Sequence, residues 1–161
     1  MSEKIAVITG ASGHIGYALI KELEAREEKF RILIRSKNKI FEGIPCESAF
    51  GDVTDPKSLE KAFEGADTVY HLAGVIDIGT GNEDLTREVN VQGTINVVEA
   101  CKKCGVRRLV YASSVDILKA LPGNEPMTEE ICDSAAEVHG IYAKTTAEAT
   151  RYVLEKSGDK L

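Results

Sequence analysis

An apolar run, Ile5-Ala6-Val7-Ile8-Thr9, passes directly into Gly10-Ala11-Ser12-Gly13-His14-Ile15-Gly16 and then into an amphipathic stretch reaching about residue 28. Glycines recur here at every third position, which a simple turn does not need, because each one costs backbone entropy on folding. Read as strand, turn and helix start, the spacing assigns each glycine a task. Gly10 permits the tight turn, Gly13 lets the backbone approach a ligand without a Cβ, and Gly16 lets the helix pack closely on the strand. The N–H groups that open the helix carry the positive end of its dipole, so the expected occupant of the turn is an anion, a pyrophosphate in particular. Contacts to it are expected from Gly10, Ser12, Gly13, His14, Ile15 and Gly16. His14, the ionisable member, reads as exposed loop decoration rather than as a catalyst.

Short β-branched runs then alternate with amphipathic stretches along the chain, the pattern of βαβ units. Strands are expected over residues 5–9, 31–34, 47–50, 68–72 and 108–112. Helices are expected over 13–28, 56–63, 84–104 and 141–156, with Asp55 capping the second and Pro56 in its first turn. Gly105 ends the third. Stretches 77–82 and 118–131, rich in Gly, Pro and Asn, read as loops. The fold class is α/β: a Rossmann-type doubly wound parallel sheet of about five strands with helices on both faces, one domain over residues 1–161.

Composition narrows the partners. Hydrophobic residues at 43% and charged residues at 29% are globular proportions, and the net charge of −6 with no basic run argues against nucleic acid and anionic membrane. A small molecule is the expected ligand. No stretch has the roughly 20 consecutive apolar residues of a spanning helix, and the expected location is the cytoplasm. Cys46, Cys101, Cys104 and Cys132 are too sparse for a disulfide framework. Cys101-Lys-Lys-Cys104 lacks the further ligands of a zinc site and reads as two helix cysteines, so no metal is expected. The second strand ends Ile34-Arg35-Ser36-Lys37, with Arg35 where an acidic residue would hold the ribose 2′-hydroxyl of NAD. A guanidinium there, with Lys37 and Lys39 nearby, suits a 2′-phosphate, so NADP(H) is expected over NAD(H). The other reading makes these cations a solvated surface that accepts either cofactor.

Five motifs in order resemble the short-chain dehydrogenase/reductase superfamily, in its extended branch of NAD(P)-dependent epimerases, dehydratases and reductases. They are Thr9-Gly-Ala-Ser-Gly-His-Ile-Gly16, Gly51-Asp52-Val53-Thr54-Asp55, His71-Leu72-Ala73-Gly74, Val89-Asn90-Val91-Gln92-Gly93-Thr94 and Tyr111-Ala112-Ser113-Ser114. The resemblance implies that Asp52 and Val53 contact adenine, and that Leu72, Ala73 and Gly74 lie under the nicotinamide ribose. It further implies Asn90, a structural residue counted with the cofactor site, and Ser114 as the serine that holds the substrate oxygen. Tyr142 becomes the acid/base, also touching the cofactor.

The chain departs from that pattern at one position. Tyr142-Ala-Lys-Thr-Thr146-Ala-Glu148 puts Thr146 where the family carries a lysine, and Lys144 lies about 200° around the helix from Tyr142. A second Tyr-x-x-x-Lys, Tyr152 to Lys156, reads as an ordinary helix face. The chain also stops before the sixth strand and substrate lobe of the extended branch, so it is expected to be the dinucleotide-binding core of a longer protein. Two functions stay open: the core of an NAD(P)-dependent epimerase, dehydratase or carbonyl reductase, inactive alone, or a catalytically silent NAD(P)-binding regulatory or interaction module. A homodimer through the third and last long helices is implied by the resemblance.

Overall fold

The computed structural model describes residues 5–77, 79, 81–118, 123, 126–129 and 138–158. Five strands, β1 (Ile5–Thr9), β2 (Phe30–Ile34), β3 (Glu47–Phe50), β4 (Ala66–His71) and β5 (Arg108–Tyr111), form one parallel sheet in the order β3-β2-β1-β4-β5. At its centre Val7 of β1 lies opposite Arg31 of β2 on one side and Val69 of β4 on the other. The winding direction reverses at β1. This is the expected doubly wound Rossmann arrangement, and it opens a crevice beyond the carboxyl ends of β1 and β4, where ligands of such sheets bind.

Alternate side chains along the strands enter two cores. Val7, Leu33 and Val69 pack with Leu59 and Phe63 of α2 (Pro56–Phe63) and with Val97 and Cys101 of α4 (Gly93–Cys104). Ile8 and Ile32 pack on the opposite face with Ile20 and Leu23 of α1 (His14–Ala25). Burying one such aliphatic side chain stabilises the fold by roughly 1.5–3 kcal/mol, which is why β1 is apolar on both faces. α5 (Gly140–Lys156) lies against α4 and α3 (Glu83–Arg87).

Local chemistry sets the helix ends. Asp55 accepts a hydrogen bond from the Lys57 N–H at 3.0 Å, and Pro56 begins α2, both as expected. Gly105 ends α4 in the left-handed conformation, φ 68°, with the Val106 N–H returning to the Cys101 carbonyl at 2.9 Å. α1 ends at Ala25, earlier than the expected residue 28. Glu27 takes φ 56° and the Glu28 N–H returns to the Leu23 carbonyl, a left-handed stop made without the glycine that usually marks it.

β2 starts at Phe30, β5 ends at Tyr111 and α5 starts at Gly140, each one residue from the expected bound, and two departures are larger. β4 starts at Ala66 and its pairing shifts register between Ile5 and Ala6. The expected helix over 84–104 is interrupted by a π-turn, Glu88–Gln92, between α3 and α4. Cys132, most of the expected loop over 118–131 and the chain after 158 lie outside the described residues.

Candidate functional site

The glycine turn closes on itself and on β4. Gly10 has φ +71°, and a Cβ there would meet the Leu72 carbonyl and the Ala73 nitrogen at 2.5 Å. Gly16 is buried beneath the turn, where a Cβ would lie 2.3 Å from the Gly10 carbonyl oxygen. Gly13 differs, having ordinary φ of −75° and only the Gly10 oxygen, at 3.2 Å, near its ideal Cβ. The Tyr17 N–H takes the Gly13 carbonyl as the first bond of α1, which leaves the N–H groups of residues 14–16 without an intrahelical acceptor. That set of donors fits an anion.

A cavity of ≈ 380 Å³ spreads from this turn, within the size range of small-molecule sites. Gly10, Ser12 and Gly13 line it from the turn, Arg35 and Lys37 from the end of β2, Asp52 and Val53 from the loop after β3, and Leu72, Ala73 and Gly74 from the end of β4. Asn38 and Phe41 also line it, the first just before and the second within a short 3-10 turn, Lys39–Phe41, that the sequence did not lead us to expect. Asp52 is held by the Thr54 N–H at 3.0 Å and the Thr54 hydroxyl at 2.9 Å. Among the described residues no ion pair takes up Arg35 or Lys37 at this end of the cavity, nor Lys39, which does not line it. The free N–H groups of the helix start and the mixed polar and cationic lining fit a dinucleotide.

A second cavity, ≈ 160 Å³, shares Leu72, Ala73 and Gly74 with the first. Ile15, Asn90, Tyr142 and Thr146 line it, together with Thr94, Tyr111 and Ser113, to which the sequence reading gave no role. Thr146 is 5% exposed and faces a wall without an ionisable cation. Three of the expected residues line neither cavity: Gly16, buried beneath the turn where it packs on Gly10 instead of meeting a ligand, His14, which is exposed, and Ser114, which is half-buried. The Ser114 hydroxyl caps a 3-10 turn, Val115–Ile117, accepting from the Asp116 N–H at 3.2 Å. The Ser113 hydroxyl instead meets the Thr150 hydroxyl at 2.8 Å.

Polar anchors hold the shared floor. Asn90, on the π-turn and 5% exposed, accepts from the Val75 N–H at 2.8 Å and donates to the Val75 carbonyl at 2.9 Å and to the Thr145 hydroxyl at 3.2 Å. His71 is fully buried between the Thr9 hydroxyl at 2.8 Å and the Thr94 hydroxyl at 3.0 Å, and burial pushes its pKa down to about 4. It is therefore neutral at pH 7. The Tyr111 ring stands 5.6 Å away, its phenol raised in pKa by burial.

The remaining motifs are structural. Tyr152 donates to a Glu99 carboxylate at 2.8 Å and lies under the Lys156 ammonium at 5.6 Å, bracing α5 against α4. Loss of solvent, with the Glu99 charge, pushes the Tyr152 phenol up to about 12. Burial likewise raises the Cys101 thiol to about 12, and Cys104 donates to the Glu60 carbonyl at 3.5 Å. Among the described residues no cluster could hold a metal ion, and no helix is long and apolar enough to cross a membrane.

The profile of the 3-beta hydroxysteroid dehydrogenase/isomerase family matches residues 7–161. A 3 beta-hydroxysteroid dehydrogenase type 7 from Mus musculus is 31% identical over 98% of this chain and 46% of its own length. A sterol demethylase protein B from Methylococcus capsulatus is 38% identical over 67% of this chain and 34% of its own. Among solved structures, gox2253 superposes with a TM-score of 0.86 at 30% identity, covering 94% of this chain and 47% of that one. A UDP-glucose 4-epimerase from Thermus thermophilus, in complex with NAD, gives 0.78 at 26% identity over 94% of this chain and 50% of the other. The chain thus spans about half or less of the length of these proteins.

Proposed function

Because the chain belongs to the 3-beta hydroxysteroid dehydrogenase/isomerase family, within the extended short-chain dehydrogenases/reductases, we propose that it is the dinucleotide-binding half of an NADP(H)-preferring oxidoreductase or epimerase. The observation that carries this is the pair of neighbouring cavities that share Leu72, Ala73 and Gly74 as lining, the larger bordered by the glycine turn and the smaller by Tyr142. In this reading the turn and the opening N–H groups of α1 bind the pyrophosphate, Asp52 and Val53 border adenine, and the 72–74 floor supports the nicotinamide ribose. Bound nicotinamide supplies or takes the hydride. Tyr142 exchanges the proton of the substrate's hydroxyl or carbonyl, and Ser114 holds that oxygen once its cap on Asp116 opens.

The apolar side chains of Ile15 and Ile76, 61% and 69% exposed, border the Tyr142 cavity and favour an apolar alcohol or ketone, in keeping with the hydroxysteroid names of the relatives. A second reading rests on Thr146. A buried neutral side chain one turn from Tyr142 withholds the cation that would favour a phenolate, which suits a protein that binds the dinucleotide without turning over.

Cofactor choice gives the direct test. Arg35, Lys37 and Lys39 favour a 2′-phosphate, so NADPH binds more tightly than NADH in a fluorescence titration, and Arg35→Asp reverses the order by at least tenfold, about 1.4 kcal/mol. Tighter binding of NADH by the parent chain would remove the assignment of Arg35. Binding of neither would remove the dinucleotide reading itself.

A further inference from the structure

His71 makes two hydrogen bonds whose direction can be settled from their neighbours. The Thr94 hydroxyl donates to the Asn90 carbonyl at 2.7 Å, so its single proton is spent and it can only accept from the His71 Nε2, 3.0 Å away. Nε2 therefore carries the proton. In a neutral ring Nδ1 is then bare and accepts the Thr9 hydroxyl proton at 2.8 Å. The Thr9 oxygen, its own proton committed, accepts the Ala73 N–H at 3.3 Å.

The bonds form one directed chain, from Ala73 through Thr9, His71 and Thr94 to Asn90. The Asn90 side chain closes it by gripping both the N–H and the carbonyl of Val75. The loop so formed runs through the backbone of Ala73, Gly74 and Val75, and the ideal Cβ of Gly74 would sit 3.5 Å from the Asn90 Oδ1. Ala73 and Gly74 border both cavities. Residues of β1, β4 and the helix over 83–104 thus hold a floor that none of them forms alone.

We propose that His71, as the neutral Nε2–H tautomer, is a positioning residue for the bound dinucleotide, setting the height of the Ala73–Gly74 floor through this closed ring of hydrogen bonds. Every member has one arrangement of protons that satisfies all the others, so the ring admits one floor geometry. Thr9, His71, Thr94 and Asn90 are buried, which excludes water that could substitute for a missing bond at those members. The role rests on the cofactor reading above, and its tests separate the two.

Nitrogen-15 NMR of the imidazole in the parent chain reads the tautomer directly. Nε2 protonated and Nδ1 bare at pH 7 is the expected result, and an Nδ1–H or doubly protonated ring overturns the proposal. NADPH titration of folded variants, well below their melting midpoints, reads the role. His71→Phe and Thr9→Val each weaken binding about tenfold, and together by about tenfold rather than a hundredfold, because either break opens the same ring. His71→Asn, whose amide oxygen can take the Thr9 proton but leaves the Thr94 bond unmade, recovers affinity only in part, to between the His71→Phe value and the parent's. A parent that binds while His71→Phe, folded, binds equally overturns the positioning role alone, as does strict additivity. A parent that binds neither NADPH nor NADH overturns the cofactor reading and this role with it. Should His71→Phe fail to fold, Thr9→Val and His71→Asn carry the same comparison.

Discussion

At the scale of single residues, the three glycines of the turn separate into two kinds. Gly10 and Gly16 are required by the fold, because a Cβ at either meets backbone atoms at 2.5 Å or less and Gly10 also has positive φ. Gly13 is required, in our reading, only by the ligand, since its φ is ordinary and its ideal Cβ has one neighbour at 3.2 Å. The prediction is a dissociation of effects. Gly13→Ala leaves the urea midpoint almost unchanged, a loss under about 1 kcal/mol, yet weakens NADPH binding at least tenfold. Gly10→Ala loses about 2 kcal/mol or more before any ligand is added, from its clash and its strained φ. Paired urea melts and fluorescence titrations check both. Unimpaired binding by Gly13→Ala would show that no phosphate passes over that backbone.

At the scale of elements, the π-turn and α5 matter most. The wide turn between α3 and α4 carries Asn90, which reaches the Val75 backbone and the Thr145 hydroxyl at once, so one turn ties the floor to α5. Such turns cluster at functional sites because they re-aim a side chain without ending the helix. On α5, Tyr142, Thr146 and Thr150 fall at intervals of four, along one face. A lysine at 146 would extend into the ≈ 160 Å³ cavity beside Tyr142. Thr146→Lys is predicted to make the Tyr142 phenol ionise at lower pH, because an ammonium one turn away favours the phenolate. Ultraviolet difference absorbance, with Tyr142→Phe identifying the signal, measures it. An unchanged titration would mean that position 146 does not address that phenol.

At the scale of the whole molecule, His71 couples the buried centre to acid. Its imidazole binds a proton near pH 6.5 when unfolded and near 4 when folded, because burial disfavours the charged ring. Its stabilising contribution is therefore complete above pH 6.5 and is lost as pH falls from 6.5 to 4, by up to about 3 kcal/mol. Urea midpoints of the parent and His71→Phe should converge between pH 7.5 and 4.5 as the parent alone meets this loss. A constant difference between them would mean that the buried ring is not neutral in the native state. The protons sit in bonds linking β1, β4 and α4, so the same titration would loosen the lining that both cavities share.

The sheet, its strand order class and the turn at its centre were legible in residues alone. Glycine spacing, β-branched runs on strands buried on both faces and the caps at Asp55 and Gly105 are local requirements, satisfied by neighbours in sequence. The same locality made Arg35 and Thr146 visible as departures. The left-handed stop at Glu27 and the π-turn at Glu88–Gln92 carried no such mark, since neither uses a residue type that demands its conformation. Which serine hydroxyl stays with Asp116 and which with Thr150 depends on how α5 packs against the segment that follows β5. His71 belongs to a quoted motif, but its partners lie 62 residues before it and 23 after it. A proton's direction around such a ring is a property of bonds between distant segments, and only the folded chain brings those segments within reach.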